Sequence, residues 1–161
     1  MSNTITIKNC KVINEGSITE KDILIKEGRF EKIANDIDPQ GEVIDAAGHY
    51  LLPGVIDDQC HFREPGLTER GSIKTESLAA IAGGTTSFMD MPNVLPPTLS
   101  LDLWRDKISI AGQTSSANFS FYMGTSNSNI DEIKAIDPKE VCGIKIFMLS
   151  LIHISEPTRR K

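Results

Sequence analysis

The chain has 161 residues, 39% hydrophobic and 24% charged, with Lys+Arg 17 against Asp+Glu 22 and a net charge of -5. A mildly acidic surface argues against a nucleic-acid or anionic-membrane partner, and no apolar run approaches the roughly 18 residues of a membrane span. Cys10, Cys60 and Cys142 are odd in number with no paired spacing, which excludes a zinc ribbon, argues against a disulfide framework and makes the cytoplasm the expected location.

The opening "MSNTITIKNC" lacks the layout of a signal peptide, and residues 4–13 alternate like a strand rich in β-branched types. "DILIKEGRFEKIA" reads as two strands about a Glu27-Gly28 turn. "EVIDAAGHYLLPG" adds a short strand, a turn at Gly48 and an apolar run into Pro53-Gly54, with His49 as a turn or surface residue. Residues 1–52 are therefore expected to form a small all-β segment.

The pattern then changes. "VIDDQCHF" is a strand ending in polar residues. "SIKTESLAAIAGG" is a Ser-capped helix with Glu76 in its early turns, an apolar face at Leu78, Ile81 and Ala82, and a Gly-Gly stop. "TTSFMDMPN", "ANFSFYMG" and "CGIKIFM" are further strands, and "SLDLWRDKISIAG" and "SNIDEIKAI" further helices. Strands alternating with helices predict an α/β fold of parallel βαβ units, with a site at the C-terminal strand ends. The absence of G-x-G-x-x-G and P-loop motifs leaves a nucleotide site without support.

Side chains two apart share one face of a strand, so Asp57, Gln59, His61 and Arg63 are expected to project together, and Asp58, Cys60 and Phe62 oppositely. Such a polar set is costly to bury unless it binds something. Cys60 is read as a buried thiol in the helix-facing layer. A lone histidine at a strand end is more often structural than a ligand, so on these residues alone both readings stay open.

"PGVIDDQCHFREPG", "AAIAGGTTSFMDMPN" and "GIKIFM" resemble the cyclic amidohydrolases, and among them the dihydroorotase family, from about residue 4 to Met148. The resemblance implies a metal-dependent (β/α)₈ barrel, its first half at 53–148, preceded by part of a small β-sandwich. The family's first metal motif, D-x-H-x-H-F-R, is matched by Asp57 and His61, with Gln59 where the first histidine stands. Lys145 aligns with the lysine that relatives carbamylate to bridge two zinc ions. The implied cofactor is Zn²⁺, one or two ions, held by His61, Lys145 and, with a weaker carboxamide donor, Gln59. Arg63 and Asn93 align with the residues that grip the substrate carboxylate. Alternatively Arg63 makes a surface ion pair with Glu64 or Glu69.

The implied reaction is reversible hydrolysis of dihydroorotate to N-carbamoyl-aspartate in pyrimidine biosynthesis. The general acid/base aspartate and two more histidines are expected beyond Met148. Alternatives are an allantoinase or another cyclic amidase, or a non-catalytic homologue that scaffolds a pyrimidine-pathway carbamoyltransferase. A homo-oligomer is a further expectation. Residues 149–161 resemble the translation of a transposon-end sequencing adapter, which sets His153 aside and makes the natural chain longer than this one. The chain by itself is expected to be inactive.

Overall fold

The computed structural model describes residues 3–147, and the chain divides after Pro53 into two compact units. The adapter-like stretch 149–161, with His153, lies outside the described residues. Among the described residues no helix is long and apolar enough to cross a membrane.

The first unit is governed by two Glu-Gly turns. Glu15 and Gly16 take φ of 47° and 73°, and Glu27 and Gly28 take 50° and 71°. Two successive positive φ values make the type I′ turn, whose twist matches that of the strands it joins. Three antiparallel strands follow: β1 (Thr4–Asn14), β2 (Ser17–Lys26) and β3 (Arg29–Ala34). β4 (Glu42–Asp45) and β5 (Tyr50–Leu51) both pair in parallel with β1, giving the order β3-β2-β1-β4 with β5 beyond β4 along β1. β2 starts earlier than the apolar pattern suggests, because its first residues, "SITEK", are solvated.

One irregularity organises this sheet. The β1–β2 register slips between Ile7 and Cys10, where Asn9 has φ of 55°. The Asn9 N–H donates to Asp22 Oδ1 at 2.9 Å, and the Ile37 N–H donates to Asp22 Oδ2 at 3.1 Å. Lys8 completes the ion pair with Asp22. This satisfies a buried carboxylate in the unit whose buried apolar side chains are Cys10, Ile23, Leu24 and Ile37. His49 is an exposed turn residue whose N–H and Nδ1 both meet the Ala46 carbonyl.

In the second unit β6 (Val55–Cys60), β7 (Thr85–Asp90) and β8 (Asn118–Phe121) form a parallel sheet in chain order. The expected third strand breaks at Tyr122, whose N–H turns to the Asp90 carbonyl; it resumes as β9 (Met123–Gly124), which pairs in parallel with β10 (Ile144–Lys145). The connections carry α1 (Ile73–Ala82), α2 (Leu101–Thr114) and α3 (Ile130–Lys134). Parallel neighbours need such crossovers, since a tight turn reverses the strand direction.

Ser72 caps α1 in a reciprocal box with Thr75, Glu76 lies in the first turn, and Gly84 (φ 89°) ends the element. The helical period predicted for α1 is correct but its phase is not. Ile73 and Ser77 are buried and Ala80 half-buried, whereas Leu78 is 61% and Ile81 40% exposed and Ala82 is exposed. The inward face is therefore that of Ile73, Ser77 and Ala80, and Ser77 Oγ takes the Ser116 N–H of the loop after α2 at 3.0 Å.

Between sheet and helices lies a cluster of Cys60, Phe62, Ile73, Phe88, Trp104 and Phe121. Phe62 and Phe88 meet at 4.4 Å between ring centroids, and Trp104 Nε1 donates to the Phe121 carbonyl at 2.9 Å.

Candidate active site at the strand ends

Pairing sets Cys60, the last residue of β6, opposite Asp90, the last of β7. The segment leaving β6 is "HFREPG" and the segment leaving β7 is "MPNVLPP". The two cross where the Leu95 N–H donates to the Pro65 carbonyl at 3.0 Å. Gly66, at φ 80°, stands at this crossing, and a Cβ there would overlap the Leu95 carbonyl. Only glycine fits.

Three further hydrogen bonds clamp the β6 segment to the β7 segment. The Met91 N–H donates to the Cys60 carbonyl at 3.0 Å, and the Phe62 N–H donates to Asp90 Oδ1 at 2.8 Å. His61 Nδ1 meets Asn93 Oδ1 at 2.8 Å. An amide oxygen only accepts, so Nδ1 is the donor of this contact, and in the neutral imidazole Nε2 is the nitrogen left with a lone pair. His61 is exposed, which makes Nε2 a ready nitrogen donor.

The expected alternation holds only in part. Cys60 and Phe62 are buried, and Asp57, Gln59 and His61 are exposed. Asp58, however, is exposed as well, and it meets the Tyr122 hydroxyl through its carbonyl at 2.9 Å. The β6–β7 register shifts between Asp57 and Cys60, β6 stops at Cys60, and Arg63 has φ of 67°, so Arg63 leaves the strand pattern altogether. Its guanidinium makes no ion pair among the described residues. The two carboxylates considered for it are engaged elsewhere. Glu64 Oε2 accepts the Ile73 N–H at 2.7 Å, and Glu69 lies beside Arg70 at 3.8 Å.

The other candidate ligands stand apart from His61 in their bonding. The Gln59 N–H folds back on Asp57 Oδ1 at 3.0 Å, and the Lys145 ammonium sits 5.5 Å from the Phe147 ring centroid. Neither hydrogen-bonds to His61, and Lys145 has no ion pair among the described residues. No group of three or more His, Cys, Asp or Glu among the described residues is placed to hold a metal ion. One imidazole nitrogen, one carboxamide and one ammonium do not constitute a zinc donor set. By themselves, the described residues do not fit a zinc centre.

Sequence reasoning passed over the pair beneath the clamp. Lys107 of α2 reaches Asp90 Oδ2 at 2.6 Å and the Met91 carbonyl at 3.0 Å, with the Phe121 ring 4.7 Å away. Both charged side chains are fully buried. Burial pushes the Lys107 ammonium below its ordinary pKa, and Asp90 opposes that shift. Burial also pushes the Cys60 thiol up, in keeping with a structural cysteine.

The chain is similar to several curated enzymes. It is 33% identical over 151 residues to the L-hydantoinase of Paenarthrobacter aurescens, covering 92% of this chain and 33% of that one. To the allantoinase of Desulfitobacterium hafniense strain Y51 it is 34% identical over 145 residues, covering 89% and 32%. To the dihydroorotase of Methanosarcina mazei it is 36% identical over 134 residues, covering 82% and 29%. The solved L-hydantoinase (dihydropyrimidinase) from Arthrobacter aurescens superposes with a TM-score of 0.88 at 32% identity, covering 94% of this chain and 35% of that one. No family model matches.

The homologues of this chain are thus cyclic amidohydrolases, namely hydantoinases, allantoinases and dihydroorotases. Its α/β structure matches the N-terminal part of a hydantoinase-type amidohydrolase, and it spans about a third of the length of the curated relatives it matches.

Proposed function

We propose that the chain is the N-terminal part of a hydrolase that opens a cyclic amide, and that its substrate ring carries a carboxylate, as dihydroorotate does. The observation that carries the finer reading is Arg63. Its guanidinium lies two residues past His61 and has no carboxylate partner among the described residues, so it is available to hold an anionic ring substituent through two parallel hydrogen bonds. Asn93 is then an orienting partner of His61 as well as a neighbour of the substrate. In the reaction the ring C–N bond breaks, the oxygen of water goes to the carbonyl carbon, and the ring nitrogen takes a proton.

The same reading divides the chain into a β-sandwich segment at 1–52 and the first half of a (β/α)₈ barrel at 53–148. Zn²⁺ is the proposed cofactor, with His61 and a carbamylated Lys145 as ligands, and the remaining donors supplied by residues other than those described. Gln59 stands at the edge of that set. The alternative substrate is a hydantoin or allantoin, supported by the likeness to the L-hydantoinase structure and to the curated allantoinase respectively.

The test is to assay the full-length protein with dihydroorotate, N-carbamoyl-aspartate, allantoin and 5-substituted hydantoins. Turnover confined to the first two supports the carboxylate reading. Turnover of allantoin or hydantoins alone overturns it and leaves the general one standing. No turnover of any overturns both in favour of a scaffold, with co-purification of a carbamoyltransferase as the follow-up.

A further inference from the structure

We propose that the buried pair Lys107–Asp90 is a positioning device for His61, acting through the Phe62 amide and the Met91 carbonyl. A buried ion pair is a poor packing choice, because two charges are taken out of water and an apolar pair of similar volume serves as well or better. Lys107 and Asp90 are nevertheless both 0% exposed, with the Phe121 ring 4.7 Å from the ammonium and the Cys60 thiol beside the carboxylate. Their geometry points to a different use.

Asp90 spends its two oxygens in two directions. Oδ2 meets Lys107 at 2.6 Å, and Oδ1 takes the Phe62 N–H at 2.8 Å, immediately after His61 in the chain. Lys107 faces Asp90 as an ion pair and donates its hydrogen bond to the Met91 carbonyl at 3.0 Å. Met91 begins the segment that carries Asn93, the hydrogen-bond partner of His61. One ammonium on α2 therefore fixes both sides of the His61–Asn93 contact, the backbone behind the imidazole and the backbone behind its acceptor. What His61 needs from Asp90 is an acceptor for the Phe62 N–H; Lys107 orients and neutralises the carboxylate that supplies it.

Two double variants of the full-length protein separate this role from mere packing. Asp90→Asn/Lys107→Met and Asp90→Leu/Lys107→Met both remove the buried charges, and only the first keeps an acceptor for the Phe62 N–H. The readouts are the His61 tautomer by ¹⁵N NMR, exchange protection of the Phe62 amide, and kcat/KM on whichever cyclic amide the wild type hydrolyses. The Asn variant is expected to keep the Nδ1–H signature and the protection. The Leu variant is expected to fold yet lose both, with kcat/KM down about 10- to 100-fold.

Equal His61 signatures in the two variants would overturn the proposal. Should the Leu variant not fold, Asp90→Val in the same background replaces it. If neither folds, loss of the signature in the Asn variant overturns the proposal and its retention supports it. The kinetic arm rests on the functional reading above; the NMR and exchange arms do not, so a wild type without activity sinks that reading while they still decide this one.

Discussion

The Glu64 carboxylate accepts the Ile73 amide at 2.7 Å and thereby caps the start of α1 from nine residues upstream. This contact takes Glu64 away from the arginine beside it and leaves Arg63 as an available cation next to His61.

The roles of the two neighbours are therefore separable. In the full-length enzyme Arg63→Met is expected to raise KM for dihydroorotate strongly, with a loss of about 3 kcal/mol in kcat/KM if the contact is a buried charged one. Glu64→Ala is expected to leave KM unchanged and to cost about 1 kcal/mol of stability through the lost cap. An Arg63→Met enzyme with normal KM and kcat would remove the carboxylate role.

A second prediction concerns the metal. His61 offers a single well-set nitrogen, so the metal content of the full-length protein should respond to changes around it. Gln59→His is expected to increase zinc retained through dialysis, because imidazole is a better zinc ligand than a carboxamide. Lys145→Ala is expected to decrease it. Equal zinc in the parent and both variants, measured by atomic emission, would defeat the assignment of Gln59 and Lys145.

Much of this was legible in the sequence, and the failures have physical causes. The strand–helix alternation and the polar strand ends follow from local pattern, as do the Ser72 cap and the buried Cys60. The phase of α1 was missed because hydrophobicity points to Leu78 and Ile81, while the buried Ser77 hydroxyl is used to accept the Ser116 amide of a loop distant in sequence. Lys107 was missed because a lysine in "WRDKIS" reads as solvated; its partner Asp90 is brought to it only by the βαβ crossover. The early start of β2 left one usable signal, the second Glu-Gly pair at Glu15-Gly16 that mirrors Glu27-Gly28.

The first unit should carry an acid-sensitive element. The Lys8 contact holds the Asp22 carboxyl below its ordinary pKa, helped by the Asn9 and Ile37 amides and opposed by burial. A carboxyl depressed in the folded state contributes stability above its unfolded pKa of about 3.9, and that contribution disappears as pH falls through the folded value. Denaturant melts of the wild type are thus expected to lose stability below about pH 4. Asp22→Asn is expected to be less stable at pH 7 and flatter over the acid range. Parallel pH profiles for the two proteins would show that Asp22 contributes nothing to acid sensitivity.

The last prediction compares two glycines of the second unit that share a left-handed backbone and differ in their surroundings. Gly66 has φ of 80° and Gly84 has φ of 89°. Around Gly84 nothing lies within 4 Å of an added Cβ, whereas at Gly66 the Cβ would overlap the Leu95 carbonyl. Gly84→Ala should therefore cost only the backbone term, about 1–2 kcal/mol. Gly66→Ala should cost more than that, because the crossing of the two strand-end segments has to open. It should also weaken protection of the Leu95 amide, whose bond to Pro65 seals the crossing. Urea melts of the two variants, with hydrogen exchange read at Leu95, make the comparison. Equal destabilisation with unchanged Leu95 protection would mean that the crossing tolerates a side chain and that Gly66 is there for its φ alone.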